Sequence, residues 1–375
     1  MAAAANRYSA ESLENAAAGL LRSFGAHEEV AADVARSCIR SSLRGIDSHG
    51  LALLPKIIDR VINKDAGKES ADKEAVRTQL SEPAVVVVGD ADMPVAVVDA
   101  RISPGQHACL SAARLATEKA RRFGIAMVAV RNSTHFGAAT PYLQEILAAG
   151  FVGMVGSNCT PSMAGCGSPV ANMGNMPWGF GAPVAGAPDF IFDFCCAVMS
   201  FGKLNRLKAA GEPIPEGAFK AVEVDVSATD RAFTNAAALS NLGLPFGGYK
   251  GSAVAMMIEV LSGCLSAGNF GADAECVKDG KFQGPSHFVL AINPSKFGGA
   301  DGDFVEGMKK YVNDIKAPSP GEIRYSGENG AATHAERSVK GIPVAEALEK
   351  DLQSLAAQVS YELVLKPVDA PAAAA

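Results

Sequence analysis

Arg44-Gly45-Ile46-Asp47-Ser48-His49-Gly50 interrupts a run of apolar residues that recur at helical spacing. Upstream, Val30, Val34, Cys38 and Ile39 predict a helix from about His27 to Leu43, and Gly45 is its stop signal. Downstream, a further helix is expected from near Leu53 to about Asn63, with Pro55 tolerated in its first turn. Asp47, Ser48 and His49 are thereby placed on the connecting loop. An imidazole flanked there by a hydroxyl and a carboxylate can take or give a proton near neutral pH. The adjacent serine can steer its tautomer, and Gly50 lets a ligand approach the backbone. The same residues also suit a plain helix-end turn, with Asp47 and Ser48 bonding the backbone. On chemistry alone the two readings are even.

Outward from this loop the chain alternates. A first helix is capped by Ser9 and carries Leu13, Ala17, Leu20 and Leu21 on one face. The charged, aperiodic segment from Lys64 to Glu82 reads as a surface insertion. Strands are expected at Val85–Val88, Val95–Val98, Ile125–Val130, Val152–Val155, Phe190–Phe194, Val222–Val226 and Phe288–Ile292. Helices are expected at Gly105–Phe123, Pro141–Ala149, from Gly251 to near Gly268, at Phe304–Ile315 and from about Val344 to Leu363. The passages from Ser157 to Pro188 and from the mid-310s to the 340s read as irregular. Helices at both ends around an alternating middle predict an α/β protein whose termini pack together.

The 375 residues carry 34 basic and 40 acidic side chains, a formal charge of −6, which argues against a nucleic-acid surface. No apolar run approaches the ~20 residues of a membrane-spanning helix. The start lacks an arginine-rich amphipathic pattern, so a cytoplasmic protein is expected. Eight cysteines form no CxxC pair and no cluster with histidine; buried free thiols are expected, and no metal.

Three other stretches carry chemistry. Asn132-Ser133-Thr134-His135-Phe136-Gly137 follows a predicted buried strand, at the end where α/β proteins place ligands; an ordinary turn is as good a reading. Gly247-Gly248-Tyr249-Lys250-Gly251 opens a helix with exposed amides and a lysine, which suits a phosphate, against a flexible turn with a solvated lysine. Asp193 ends a strand, where it could orient a histidine, hold a ribose hydroxyl or simply cap. A GxGxxG fingerprint is absent: Gly165-Cys166-Gly167 and Gly179-Phe180-Gly181 both lack the third glycine.

Taken together, Arg44–Pro55, Asn132–Tyr142, Gly247–Gly263 and Ile323–Glu328 resemble the type-2 malate/L-lactate dehydrogenase family, in the family's order and over nearly the whole chain. That family includes ureidoglycolate and sulfolactate dehydrogenases and cyclic-imine carboxylate reductases. The resemblance implies a non-Rossmann fold with a mixed central sheet and a homodimer. It implies NAD or NADP as cofactor and hydride transfer at C2 of a small 2-hydroxy or 2-oxo acid. His49 would be the acid/base, with Ser48 and Asp193 as its relay. His135, Phe136, Gly137, Ala138, Ala139, Asp193, Lys250, Gly327 and Glu328 would contact the cofactor. Two domains are expected: 1–83 with 308–375, helical, catalytic and dimerising; and 84–307, binding the cofactor.

Several positions depart from the family pattern. The arginine that grips the substrate carboxylate, four residues after the histidine, is Leu53 here. Gly-Thr-Asn-Pro reads Gly174-Asn175-Met176-Pro177, and Ala-Thr-Ser after the aspartate reads Cys195-Cys196-Ala197. Tyr249 stands where histidine is common. Arg44 is then the alternative carboxylate anchor and Asn175 a further substrate contact. The competing expectation is a member that kept the fold and lost the reaction, serving as a structural or cofactor-binding subunit.

Overall fold

The computed structural model describes residues 6–62, 80–200, 202–204, 207, 211–215, 218–221, 241–274, 276–278, 281–298 and 302–368. In chain order the elements are β1 (Asn6–Tyr8), α1 (Ala10–Ser23), α2 (Glu28–Leu43), α3 (Leu54–Ile62), β2 (Val85–Val88), β3 (Val95–Asp99), α4 (Gly105–Phe123), β4 (Ile125–Arg131), α5 (Thr140–Leu147), β5 (Val152–Ser157), β6 (Pro177–Ala182), β7 (Phe190–Cys195), β8 (Phe219–Ala221) and β9 (Asn241–Gly243). They continue as α6 (Tyr249–Glu259), prolonged by a π-helical turn to Cys264, then β10 (Cys276–Lys278), β11 (Lys281–Gln283), β12 (His287–Ile292), α7 (Asp303–Lys316), α8 (Glu328–Lys340), β13 (Ile342–Val344) and α9 (Glu346–Gln358).

Seven strands form one sheet in the order β2-β3-β4-β12-β5-β6-β7. Only β3 and β4 run parallel; every other neighbouring pair is antiparallel. The sheet is therefore mixed, and its order is not that of a doubly wound nucleotide-binding domain. Alternation along the strands sorts side chains to two faces. Ala126, Val128 and Val130 of β4, with Val289 and Ala291 of β12, meet α4 and α5 in one core. Met127, Met154 and Phe288 point the other way, toward Ala255 and Ile258 of α6.

A second core joins the chain ends. Leu13, Leu20, Leu21, Val30, Val34 and Ile39 of α1 and α2 pack with Leu352 and Leu355 of α9. β1 pairs antiparallel with β13, a short ribbon that closes this layer. The expected boundary at 308 falls inside α7, whose Val312 packs with Val184, Phe190 and Tyr325. No helix among the described residues is long and apolar enough to cross a membrane.

Several expectations need correction. β6 lies in the passage read as irregular, and α8 occupies most of the unassigned stretch before the last helix. Leu80, inside the supposed surface insertion, is fully buried and accepts a hydrogen bond from the His27 amide. The expected strand at Val222–Val226 and most of the insertion lie outside the described residues. Against the expectation of buried thiols, Cys166 and Cys264 are exposed.

Candidate active site

His49 ends the first of two short 3-10 turns, Asp47–His49 and Leu51–Leu53, between α2 and α3. The turn is fixed from below and from the side. Ser42, in the last turn of α2, accepts through its Oγ from the Leu51 amide at 3.0 Å. A Cβ on Gly50 would fall 2.1 Å from that same oxygen, so only glycine permits the approach. Arg337 of α8 reaches in from the side, donating to the Ser42 carbonyl at 2.5 Å and through both terminal nitrogens to Asp47, at 2.5 and 3.0 Å. Such a bidentate fork fixes direction as well as distance.

Within this frame Ser48 Oγ lies 2.8 Å from His49 Nδ1, as the adjacent pair in the sequence suggested. The contact occupies one ring nitrogen and leaves Nε2 to exchange a proton. The His135 ring stacks on the His49 ring, with centroids 5.8 Å apart and 26° between planes. His135 Nδ1 accepts from the Gly137 amide at 3.1 Å, so any proton it carries is on Nε2. Asp193 of β7 accepts from both the amide and the hydroxyl of Thr140, each at 2.8 Å, at the start of α5.

The charges act on one another across this space. Burial holds the His49 imidazole below its ordinary range; the Asp193 carboxylate opposes that and Lys56 of α3 adds to it. Asp193 is itself raised by burial, against the Thr140 hydrogen bonds and the His49 charge, which lower it. An imidazole lowered from 6.5 is neutral at pH 7 and able to accept a proton.

The remaining predicted residues divide. Phe136, Ala138 and Ala139 are buried, and the Phe136 ring stacks on those of Tyr142 and His287. Gly137 stands between the two histidine turns: a Cβ there would lie 3.7 Å from Leu53 Cδ1 and 3.8 Å from the His49 carbonyl oxygen. Leu53 is thus a buried wall of the site, 9% exposed, where the resemblance led to an arginine. Arg44 donates to the Gly327 carbonyl at 3.1 Å, and burial lowers its pKa while Asp189 opposes. Glu328 is taken up by Lys316 at 2.5 Å and by the Tyr325 amide at 3.0 Å. Asn175 accepts from the Cys159 thiol at 2.9 Å and, through its carbonyl, from the Cys196 amide at 2.7 Å. Lys250 is exposed at the start of α6, on a loop tied to Cys196 by the Phe246 amide.

Sequence reasoning passed over Thr140, Lys56 and Arg337. Thr140 closes the His135–Ala139 turn and could have been read as part of it. Lys56 and Arg337 carried no local signal.

One other group of donors is close enough to suggest a cation: Glu29, Asp33 and His107. The His107 nitrogens are already committed, however. Nε2 accepts from the Ala84 amide at 3.2 Å, so Nδ1 carries the proton and donates to Asp33 at 2.8 Å. Arg114 holds the same carboxylate at 2.6 and 3.0 Å.

A sequence model described as malate/L-lactate dehydrogenase matches residues 8–353. The chain belongs to the malate/L-lactate dehydrogenase family. Its relatives in that family include the malate dehydrogenase of Pyrococcus abyssi, 30% identical over 350 residues that cover 92% of each chain. Another is the NADP(+)-linked (2R)-3-sulfolactate dehydrogenase of Chromohalobacter salexigens, 29% identical over 349 residues, covering 92% of this chain and 96% of that one. Among solved structures, malate dehydrogenase from Entamoeba histolytica superposes with a TM-score of 0.79 at 24% identity, over 96% of this chain and 99% of that one. The family's members are dehydrogenases and reductases of small molecules, and the non-Rossmann fold anticipated from the motifs is the one found.

Proposed function

We propose that the chain is an NAD(P)-dependent oxidoreductase that transfers a hydride at C2 of a small 2-hydroxy or 2-oxo acid, or of a related imine. The observation that carries this reading is the His49 constellation: Nδ1 on Ser48 Oγ at 2.8 Å, the ring stacked on His135, and the charge of Asp193 acting on it. A histidine placed only to close a helix would need none of these.

The residues fit a nicotinamide dinucleotide by their donor set. Lys250 pairs with no acidic side chain among the described residues, and the exposed Gly247 beside it, with a left-handed φ of 58°, leaves room for a phosphate to approach the loop. Bound, the cofactor would supply the hydride; the chain supplies proton transfer and position. In the oxidation direction Nε2 of neutral His49 accepts the C2 hydroxyl proton while its Nδ1–H donates to Ser48. The Asp193 carboxylate then stabilises the imidazolium. In the reduction direction the same imidazolium returns the proton, and its lowered pKa makes it the readier donor. Lys56, whose charge reaches His49, replaces the arginine as the positive group for an anionic substrate; Arg44 is directed instead to Gly327 and Asp189.

The test is a panel of 2-oxo acids, hydroxy acids and cyclic imines with NADH and NADPH, run beside a direct measurement of cofactor binding. Turnover that His49→Ala lowers by ~100-fold or more supports the reading. Leu53 favours a second one, a member that binds cofactor without reacting; binding with no turnover on any of the panel would select it. The working assembly we propose is a homodimer, which the exposed Tyr249, Met256, Met257 and Val260 along α6 support, and light scattering would test it.

A further inference from the structure

Gln106 stands in the first turn of α4 and is 1% exposed. Among the described residues neither Oε1 nor Nε2 of its carboxamide has a hydrogen-bond partner. Buried polar atoms are paired in the great majority of cases, and an unpaired amide weakens the fold that holds it. Its neighbours in the chain are satisfied: the Gly105 amide donates to Thr134 Oγ1 at 3.1 Å, and His107 is held at both nitrogens. The residues on either side of Gln106 thus do not share its unpaired state.

Its direction is given by Gly137. A Cβ on that glycine would lie 3.4 Å from Gln106 Nε2, 3.7 Å from Leu53 Cδ1 and 3.8 Å from the His49 carbonyl oxygen. The amide thus meets the His49 turn and the His135 turn at a single point, the one where the two halves of the reaction would come together. Of the three atoms nearest that point, one is the Cδ1 of the buried Leu53, which would have to shift for a ring to reach the amide.

The chemistry of the side chain selects what it would receive. A carboxylate offers acceptors alone; it would satisfy Nε2 and set its charge against Oε1. A primary carboxamide offers one donor and one acceptor at the spacing of the glutamine's own, and satisfies both atoms at once. We propose that Gln106 recognises the carboxamide of the nicotinamide ring, with Nε2 donating to the ring amide's oxygen and Oε1 accepting from its NH2. The inference rests on the NAD(P) reading above and adds to it a residue that fixes which face and edge of the ring is presented to His49.

The experiment is a calorimetric titration of the full chain and its Gln106→Leu variant. Each is titrated with NAD+ or NADP+, whichever binds, and with the corresponding nicotinic acid dinucleotide, in which a carboxylate replaces the ring carboxamide. The expected result is an affinity ratio of ~10 or more in favour of the carboxamide form for the parent chain, falling to about 2 or less in the variant. Without dinucleotide the variant should melt no lower than the parent, because an unpaired polar group has been replaced by an apolar one. An unchanged ratio in the variant overturns the proposal while leaving the NAD(P) reading intact; absence of binding of any dinucleotide to the parent overturns both. Should Gln106→Leu fail to fold, Gln106→Met, unbranched and close in length, carries the same comparison.

Discussion

His49 and Lys250 both stand on glycine-marked turns at a helix end, yet their surroundings differ. The His49 turn is held by Ser42 below, by Arg337 from α8 and by the His135 turn across from it. The Lys250 loop is exposed from Gly247 to Lys250 and is anchored by backbone bonds, Phe246 to Cys196 and Gly251 to Phe246. The half that would move a proton is fixed in advance, and the half that would hold a phosphate is open. A group that transfers protons needs its geometry set to a fraction of an ångström, whereas a lysine acts on a phosphate as a flexible point charge. The contrast therefore reports a division of labour.

That contrast can be broken from the rigid side first. His49→Ala should lower turnover by ~10²–10⁴-fold with cofactor affinity nearly unchanged, read from steady-state rates beside binding isotherms. Gly50→Ala keeps every reactive group but drives a methyl into Ser42 Oγ. It should cost about 1–3 kcal/mol in thermal or urea unfolding, and lower turnover by ~10-fold or more through displacement of His49. From the open side, Lys250→Met should weaken cofactor binding by ~10-fold, the scale of one charge-assisted hydrogen bond, with little change in kcat or in melting temperature. A large loss of stability in that variant would show that the loop is structural and the comparison misplaced.

Smaller effects are expected in the pH profile. His49 must be neutral to accept a proton, so the oxidation rate should fall on the acid side through a pKa below the usual 6.5. Lys56→Met removes a charge that lowers this pKa and should move the acid limb up; Asp193→Asn removes one that raises it and should move the limb down. A shift in the same direction for both variants would contradict the geometry. Acid stability tests a histidine outside the site. His287 is fully buried, with its pKa pushed down to about 3 by burial. The unfolded chain therefore binds a proton that the folded chain refuses, and stability falls as pH drops from 6.5 toward 3. His287→Gln should flatten that fall, measured by urea unfolding at pH 7 and pH 4.5.

How much of this was legible in the sequence depended on whether each element carries its own pattern. α2 and α4 have apolar residues at helical spacing and were placed within a residue or two. β6 was hidden because Gly179 and Gly181 alternate with Trp178 and Phe180. The glycines are required where Leu143 and Leu147 of α5 press onto the strand: a Cβ on either would fall 3.0 Å from a leucine methyl. A strand built this way reads as a loop. α8 was missed for the opposite reason. None of its residues is buried, so no apolar period marks it, and polar contacts hold it, Arg337 to Ser42 and Asp47, Glu328 to Lys316 and Glu336 to Arg7. At the candidate site, Ser48, His49 and His135 lie in compact local motifs that could be singled out, whereas Asp193, expected at a strand end, sits inside β7 two residues before its last. Lys56, Arg337 and Gln106 act through distances that no local pattern encodes.

The link between Arg337 and Asp47 spans 290 positions of the chain. During synthesis, α2 and the His49 turn leave the ribosome long before the arginine that fixes them has been made. Until it arrives the turn lacks its lateral clamp, and the imidazole has no fixed bearing on Asp193. The brace therefore comes late: a nascent or truncated chain ending before α8 carries every side chain of the His49 turn but not the arginine that clamps it.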